Sequence, residues 1–106
     1  MAARIGKDDF TEQVLNSTLP VLVDFYSDSC IACKMLSPAF AAAEEELPEK
    51  VRFYKVNTAF EEKLAEEYGI LSQPTLILFN DGVEQARTRE VLKADALLAW
   101  LNSYLE

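Results

Sequence analysis

The chain contains 106 residues, of which 50% are hydrophobic and 26% are charged. This composition is typical of one globular domain spanning residues 1–106, and it argues against a disordered chain. Acidic side chains outnumber basic ones by 18 to 10, which gives a net charge of −8. Nucleic acids and anionic membrane surfaces are bound mainly through lysine and arginine, so we expect neither as a partner.

The absence of histidine limits the chemistry further. It excludes Ser-His and Cys-His hydrolase mechanisms and removes the commonest metal ligand. No apolar run approaches the roughly 18 residues that would cross a membrane. The first residues, Met1–Lys7, contain no apolar stretch that could serve as a signal peptide. We therefore expect a cytoplasmic protein.

The first third of the chain predicts a helix, a strand and a second helix. Asp8 is placed to cap the first helix. Val21–Tyr26 is almost continuously apolar, which is typical of a strand buried on both faces of a parallel sheet. Apolar residues then recur at steps of three and four over Cys33–Leu47, which predicts a helix that ends before Pro48.

A second strand is predicted over Val51–Asn57, and a third helix follows it. Thr58 and Glu61 have the spacing of a capping box at the start of this helix. Gly69 suits its left-handed end. The apolar side chains expected on its inner face are Phe60, Leu64 and Tyr68.

The last third of the chain predicts a β-hairpin and a closing helix. Strands are expected over Thr75–Phe79 and Val83–Arg89, joined by the turn signal Asn80–Gly82. The second of these strands is more polar and suits a sheet edge. A helix over Ala94–Leu105 ends the pattern. This order of elements predicts an α/β fold with one central mixed β-sheet flanked by helices on both faces.

The two cysteines, Cys30 and Cys33, follow a buried strand and open a helix. A disulfide between residues this close removes little chain entropy, so a structural role is a weak explanation. At the start of a helix, free amides and the helix dipole stabilise a thiolate at Cys30, and Cys33 lies one turn away. Two cysteines alone cannot complete a zinc site, so we expect no metal, although a site shared with carboxylates or a second chain remains open.

The stretch Val21–Pro38 resembles the active-site region of thioredoxins. The similarity extends over nearly the whole chain and includes Tyr68–Ile70, Pro74–Thr75 and Asn80–Gly82. The resemblance implies a thioredoxin fold, usually monomeric, and an enzyme that reduces protein disulfides through its dithiol. It implies no cofactor other than the redox-active disulfide. The implied partners are thioredoxin reductase or another electron donor, and disulfide-containing protein substrates.

The family pattern also implies a role for individual residues. Cys30 matches the exposed nucleophile, and Cys33 matches the buried resolving cysteine. Asp24 matches the buried carboxyl group that exchanges a proton with the inner cysteine, and burial is expected to raise its pKa. Lys55 matches the lysine near that carboxyl group. Pro74 matches a cis-proline that faces the disulfide and exposes the neighbouring backbone to substrate.

Several residues depart from the family pattern around this site. Ile31–Ala32 replaces the usual Gly-Pro between the cysteines, and Ser29 replaces a tryptophan. Gln73 precedes the cis-proline where an apolar residue is common, and Glu90 occupies a glycine position in the substrate-binding rim. Tyr26 replaces another tryptophan, and we expect it to pack. These changes predict a conserved fold with an altered contact face, and therefore altered partner choice.

Two other functions remain open on the sequence. The first is a disulfide oxidant or isomerase with the same fold, which requires a strongly lowered Cys30 pKa and an oxidising compartment. The second is a binding module whose cysteines are incidental. Such a module would show neither fast alkylation of Cys30 nor a stable local disulfide.

Overall fold

A computed structural model describes residues 2–105 and contains a five-stranded mixed sheet with the strand order β1-β3-β2-β4-β5. Strands β1, β3 and β2 are parallel, whereas β4 is antiparallel to both β2 and β5. The strands are β1 (Ala3–Arg4), β2 (Val21–Tyr26), β3 (Arg52–Asn57), β4 (Thr75–Asn80) and β5 (Val83–Thr88). The predicted mixed sheet is confirmed.

Helices cover both faces of this sheet. They are α1 (Lys7–Phe10), which continues as a π-helical turn over Thr11–Leu15, α2 (Ile31–Glu46), α3 (Glu62–Glu67) and α4 (Ala94–Asn102). Helices α2 and α4 pack on one face through a cluster that includes Leu36, Phe40 and Leu101. The first helical segment and α3 pack on the other face through Phe10 and Leu64. No helix of residues 2–105 is long and apolar enough to cross a membrane.

The central strands explain the continuous apolar runs in the sequence. In β2, Leu22 belongs to the cluster under α2, whereas Val21 and Val23 belong to the cluster on the opposite face. Alternate side chains of a strand point to opposite faces, so a strand covered on both sides must be apolar throughout. Strand β4 follows the same pattern, with Leu76 and Ile77 both fully buried.

The predicted capping box at Thr58 is wrong. Helix α3 begins only after Glu61, and no side-chain cap is formed there. Thr58 instead extends the pairing of β2 and β3, because its amide and its hydroxyl both donate to the Tyr26 carbonyl, at 2.8 and 3.1 Å. The Glu61 carboxylate accepts from the Lys7 amide at 3.0 Å. Phe60 lies in the intervening turn and is 74% exposed, so it does not pack on the inner face.

Smaller differences occur elsewhere in the chain. The N-cap of α1 is Gly6, and Asp8 lies inside the helix. Strand β1 was not predicted, because two exposed residues carry no periodic signal and only the edge of β3 defines them. Helix α4 ends at Asn102 rather than at Leu105.

The predicted turn and helix end are confirmed by three left-handed residues. Asp81 and Gly82 join β4 to β5 with φ of 54° and 78°, as the hairpin signal requires. Gly69 follows α3 with φ of 64°. A Cβ on Gly82 would lie 2.7 Å from the Leu15 carbonyl oxygen, whereas a Cβ on Gly69 meets nothing within 4 Å.

The two glycines therefore give a matched test of packing at the hairpin. Gly69→Ala is expected to lower the free energy of unfolding by about 1–2 kcal/mol, the cost of a left-handed alanine. Gly82→Ala adds a steric clash and is expected to cost about 2–4 kcal/mol. Urea denaturation with the disulfide intact measures both values. Equal losses in the two variants would contradict the close approach of the hairpin to Leu15.

Candidate active site

Cys30 and Cys33 lie where the loop after β2 enters α2. Cys30 is the N-cap residue of α2, and its Sγ accepts the Cys33 amide at 3.0 Å. The two residues form a disulfide with a Cα–Cα distance of 5.2 Å. Cys33 is only 6% exposed, whereas Cys30 is half-buried. Cys30 is therefore the more accessible sulfur, at the positive end of a long helix.

The loop before β4 lies directly against the disulfide. The Gln73–Pro74 peptide bond is cis, as the resemblance implies. The Gln73 carbonyl oxygen lies 3.4 Å from Cys30 Sγ, a contact rather than a hydrogen bond because a disulfide sulfur carries no proton. The Thr75 hydroxyl donates to the Ser72 carbonyl at 2.7 Å and ties the loop to the first residue of β4.

Asp24 is buried in the centre of the sheet beneath this site. It is 1% exposed and pairs in register with Lys55 on β3 and with Leu76 on β4. Its Oδ1 has no hydrogen-bond partner within residues 2–105. Burial raises the pKa of Asp24 from 3.8 to about 6, and the nearby charge of Lys55 opposes this rise. The carboxyl group therefore exchanges its proton close to neutral pH.

A cavity of about 150 Å³ connects Asp24 with the inner cysteine. Its volume is sufficient for several water molecules, which can carry a proton between groups that do not touch. The side chains that line it come from β2, β3, α2 and the loop after β2: Asp24, Tyr26, Ser27, Asp28, Cys33, Lys34, Ser37 and Lys55. The structure thus brings together Asp24, Cys33 and Lys55, the three lining residues that the sequence analysis assigned to the site.

The remaining candidate residues surround the disulfide at the surface. Ser29 is exposed and Ile31 is 75% exposed, whereas Ala32 and Gln73 are half-buried. Glu90 is exposed just beyond β5, where its amide donates to the Thr88 hydroxyl at 3.2 Å. Neither a hydrogen bond nor an ion pair joins Glu90 to the cysteines among the described residues. It lines a separate groove of about 640 Å³ with Leu71, Thr75, Thr88, Arg87 and Arg89.

Sequence reasoning assigned Tyr26 only a packing role and did not single out Arg89. Tyr26 in fact lines the cavity beside Asp24, and Lys55 Nζ lies 4.7 Å from the centroid of its ring. The alternation of β2 carries a usable signal, because Asp24 and Tyr26 must share one face of the strand. No comparable pattern marks Arg89, whose place beside the groove depends on how β5 pairs with β4.

A family model for thioredoxin matches residues 2–103. The chain belongs to the thioredoxin family. It is 35% identical over 103 residues to a thioredoxin of Rickettsia bellii, covering 97% of this chain and 98% of that protein. It is 39% identical over 102 residues to a thioredoxin of Rickettsia typhi, with 96% and 97% covered. A thioredoxin of Porphyra purpurea is 38% identical over 103 residues, with 97% and 96% covered.

Family membership confirms the resemblance found in the sequence, the thioredoxin fold and the expected activity. The protein is a thiol–disulfide oxidoreductase, and its redox-active pair is the Cys30–Cys33 disulfide at the start of α2. Thioredoxins act on disulfide-containing proteins and receive electrons from a reductase. Cys30 is accessible at the start of α2, whereas the buried Cys33 shares a cavity with the titratable carboxyl group of Asp24.

The raised pKa of Asp24 predicts a loss of stability as pH increases. A rise from 3.8 to about 6 means that the folded state binds a proton more tightly than the unfolded state. The stabilising contribution is complete below pH 3.8 and disappears as pH increases to about 6. It amounts to about 3 kcal/mol. Asp24→Asn should remove this dependence and unfold at higher urea concentration than the native protein at about pH 8.

Urea titrations of the disulfide form between about pH 3 and pH 8 measure the effect. Glu45→Gln is the control, because Glu45 is an exposed acid on α2 and should leave the pH dependence unchanged. An Asp24→Asn variant that keeps the native pH dependence would show that another group causes it.

Proposed function

We propose that this thioredoxin reduces protein disulfides with Cys30 as the nucleophile and Cys33 as the resolving thiol. The observation that carries the proposal is the difference in burial between the two sulfurs at the start of α2. The Cys30 thiolate attacks one sulfur of the substrate disulfide, and the other substrate sulfur leaves as a thiolate that takes up a proton. The Cys33 thiolate then attacks Cys30, releases the second substrate thiol and forms the Cys30–Cys33 disulfide.

Asp24 is the proposed acceptor of the Cys33 proton during the second step. Both side chains line the same cavity, and water in that cavity can carry the proton. A general base works best when its pKa is near the working pH, and the pKa of Asp24 is raised to about 6. Lys55 stabilises the carboxylate once it forms, because the two residues are direct neighbours in the sheet.

The proposed substrate-binding surface consists of the loop at Pro74 and the residues around the cysteines. Support comes from the contact between Cys30 Sγ and the Gln73 carbonyl, since a substrate segment that reaches Cys30 must pass this backbone. Ser29, Ile31 and Ala32 lie next to the sulfurs in the chain. Glu90 belongs to the outer rim. The cycle requires no metal or organic cofactor besides the disulfide.

The proposed partners are an electron donor, such as a thioredoxin reductase, and proteins with accessible disulfides. The net charge of −8 argues against nucleic acid as a partner. We still predict that the protein is monomeric and that it is located in the cytoplasm. The polar residues Ser29, Gln73 and Glu90 form what we call the polar rim, and we propose that the electron donor differs from reductases that recognise an apolar rim.

The division of roles between the cysteines predicts different products for two serine variants. Cys33→Ser should accumulate a mixed disulfide between Cys30 and a protein substrate, because no thiol remains to resolve it. Cys30→Ser should form no such adduct and should lose reduction of protein disulfides. Non-reducing electrophoresis and intact-mass spectrometry detect the adduct. Adducts of equal yield through both remaining cysteines would contradict the assignment.

The polar rim predicts slow reduction by a thioredoxin reductase that serves family members with an apolar rim. Glu90→Gly combined with Gln73→Ile should increase kcat/KM in an NADPH-coupled assay by about tenfold, equivalent to about 1.4 kcal/mol. Glu49→Gly is the control, because it removes an exposed acid from a turn away from the site. A native protein that is reduced as fast as such a family member would overturn the idea.

A further inference from the structure

Tyr26 belongs to a row of side chains on the face of the sheet that α2 covers. Asp24 and Tyr26 occupy alternate positions of β2 and so point to the same face. In the parallel register Lys55 lies beside Asp24, and Arg4 lies beside Lys55. The carboxyl group of Asp24 lies in the centre of the sheet, and Lys55 and then Arg4 lie beside it toward the β1 edge. Tyr26 lies next to these two cations.

Both cations contact Tyr26. Lys55 Nζ lies over the ring, 4.7 Å from its centroid. Arg4 Nη1 donates a hydrogen bond to the Tyr26 hydroxyl at 3.3 Å. An ammonium group over the face of an aromatic ring is held by the negative charge density of that face. The tyrosine therefore has a cation at its face and a second cation at its tip.

Asp24, in contrast, has no direct ionic partner within residues 2–105. Neither an ion pair nor a hydrogen bond joins it to Lys55 in the part of the chain that the structure describes, and its Oδ1 is unpaired. Such isolation is unusual for a carboxyl group that is 1% exposed. The lysine stem is flexible, and a buried carboxylate attracts an ammonium group strongly. Lys55 Nζ instead lies over the ring of Tyr26.

We propose that Tyr26 is a positioning residue whose ring holds the Lys55 ammonium group and keeps it from forming a direct ion pair with Asp24. The carboxyl group then stays free to take up and return a proton near neutral pH. This proposal rests on the proposed role of Asp24 and extends it to Tyr26.

Other charged groups also face Asp24 and must be considered. Lys34 from α2 and Asp28 from the loop after β2 line the same cavity. The Asp28 carboxylate accepts from the Asn57 side chain at 3.2 Å, which holds it at the loop. Burial is the largest cause of the raised Asp24 pKa, and Lys55 is the charge that opposes it. Lys55 is therefore the cation whose position matters most.

Removing the ring tests the proposal. In Tyr26→Leu, Lys55 is released and is expected to pair with Asp24, which should increase the acid dissociation constant of Asp24 about tenfold. Tyr26→Phe keeps the ring face and should leave the constant near its native value. The ¹³C chemical shift of the Asp24 carboxyl carbon, followed against pH, reports the titration. The disulfide form is used, so that Cys30 and Cys33 do not titrate.

Tyr54→Leu is the matched control. Tyr54 is also half-buried on the sheet, but its side chain packs on the opposite face and its hydroxyl donates to Gln13 at 2.9 Å. It should leave the titration of Asp24 unchanged. An unchanged or smaller dissociation constant in Tyr26→Leu would overturn the proposal, as would an equal increase in Tyr26→Phe or in Tyr54→Leu.

A measurement on the native protein keeps the proposal testable if Tyr26→Leu does not fold. The ring should shift the Lys55 Cε protons upfield of those of Lys50 and Lys63, which are exposed. Equal shifts in the three lysines would overturn the proposal. Failure of the proposed function is seen separately, because Asp24→Asn would then leave the pH–rate profile of disulfide reduction unchanged, whatever the spectra show.

Discussion

The pairing of β2 on both of its edges is the constraint on which the active site depends. Its register with β3 puts Asp24 beside Lys55, and its register with β4 puts Phe25 beside Thr75. Helix α2 begins just after β2, and the loop at Pro74 ends just before β4. The disulfide and the cis peptide bond therefore meet at one end of the sheet, above a carboxyl group held inside it.

The burial of Asp24 changes both the free energy of unfolding and the pKa of its carboxyl group. A carboxylate that loses its hydration destabilises the folded state above its pKa, and the strands around it leave Oδ1 without a hydrogen bond. The same loss of hydration raises its proton affinity, so that its pKa is about 6. The positive charge of Lys55 on the neighbouring strand β3 limits this increase in the pKa of Asp24. The fold tolerates this destabilising residue at the centre of its sheet.

The contact face is built from residues that take little part in packing. Ser29 and Glu90 are exposed, and Ile31 is 75% exposed, whereas the two apolar clusters lie on the faces of the sheet beneath the helices. Substitutions at exposed positions away from caps and close contacts change stability little. The residues exposed around the disulfide can consequently be substituted with little effect on the sheet beneath them.

The sequence by itself determined the main elements and the reactive pair, because those signals are local. The apolar run Val21–Tyr26 specifies a buried strand, Asp81–Gly82 permits the left-handed turn, and the spacing of the cysteines places both on one helical turn. The tertiary structure alone decided that Thr58 pairs with the end of β2 instead of capping a helix, and that Lys55 Nζ lies over the ring of Tyr26. Both contacts join residues far apart in the chain. The physical reason is that β2 and β3 are separated in the chain by α2, and the register in which they pair sets which of their side chains become neighbours.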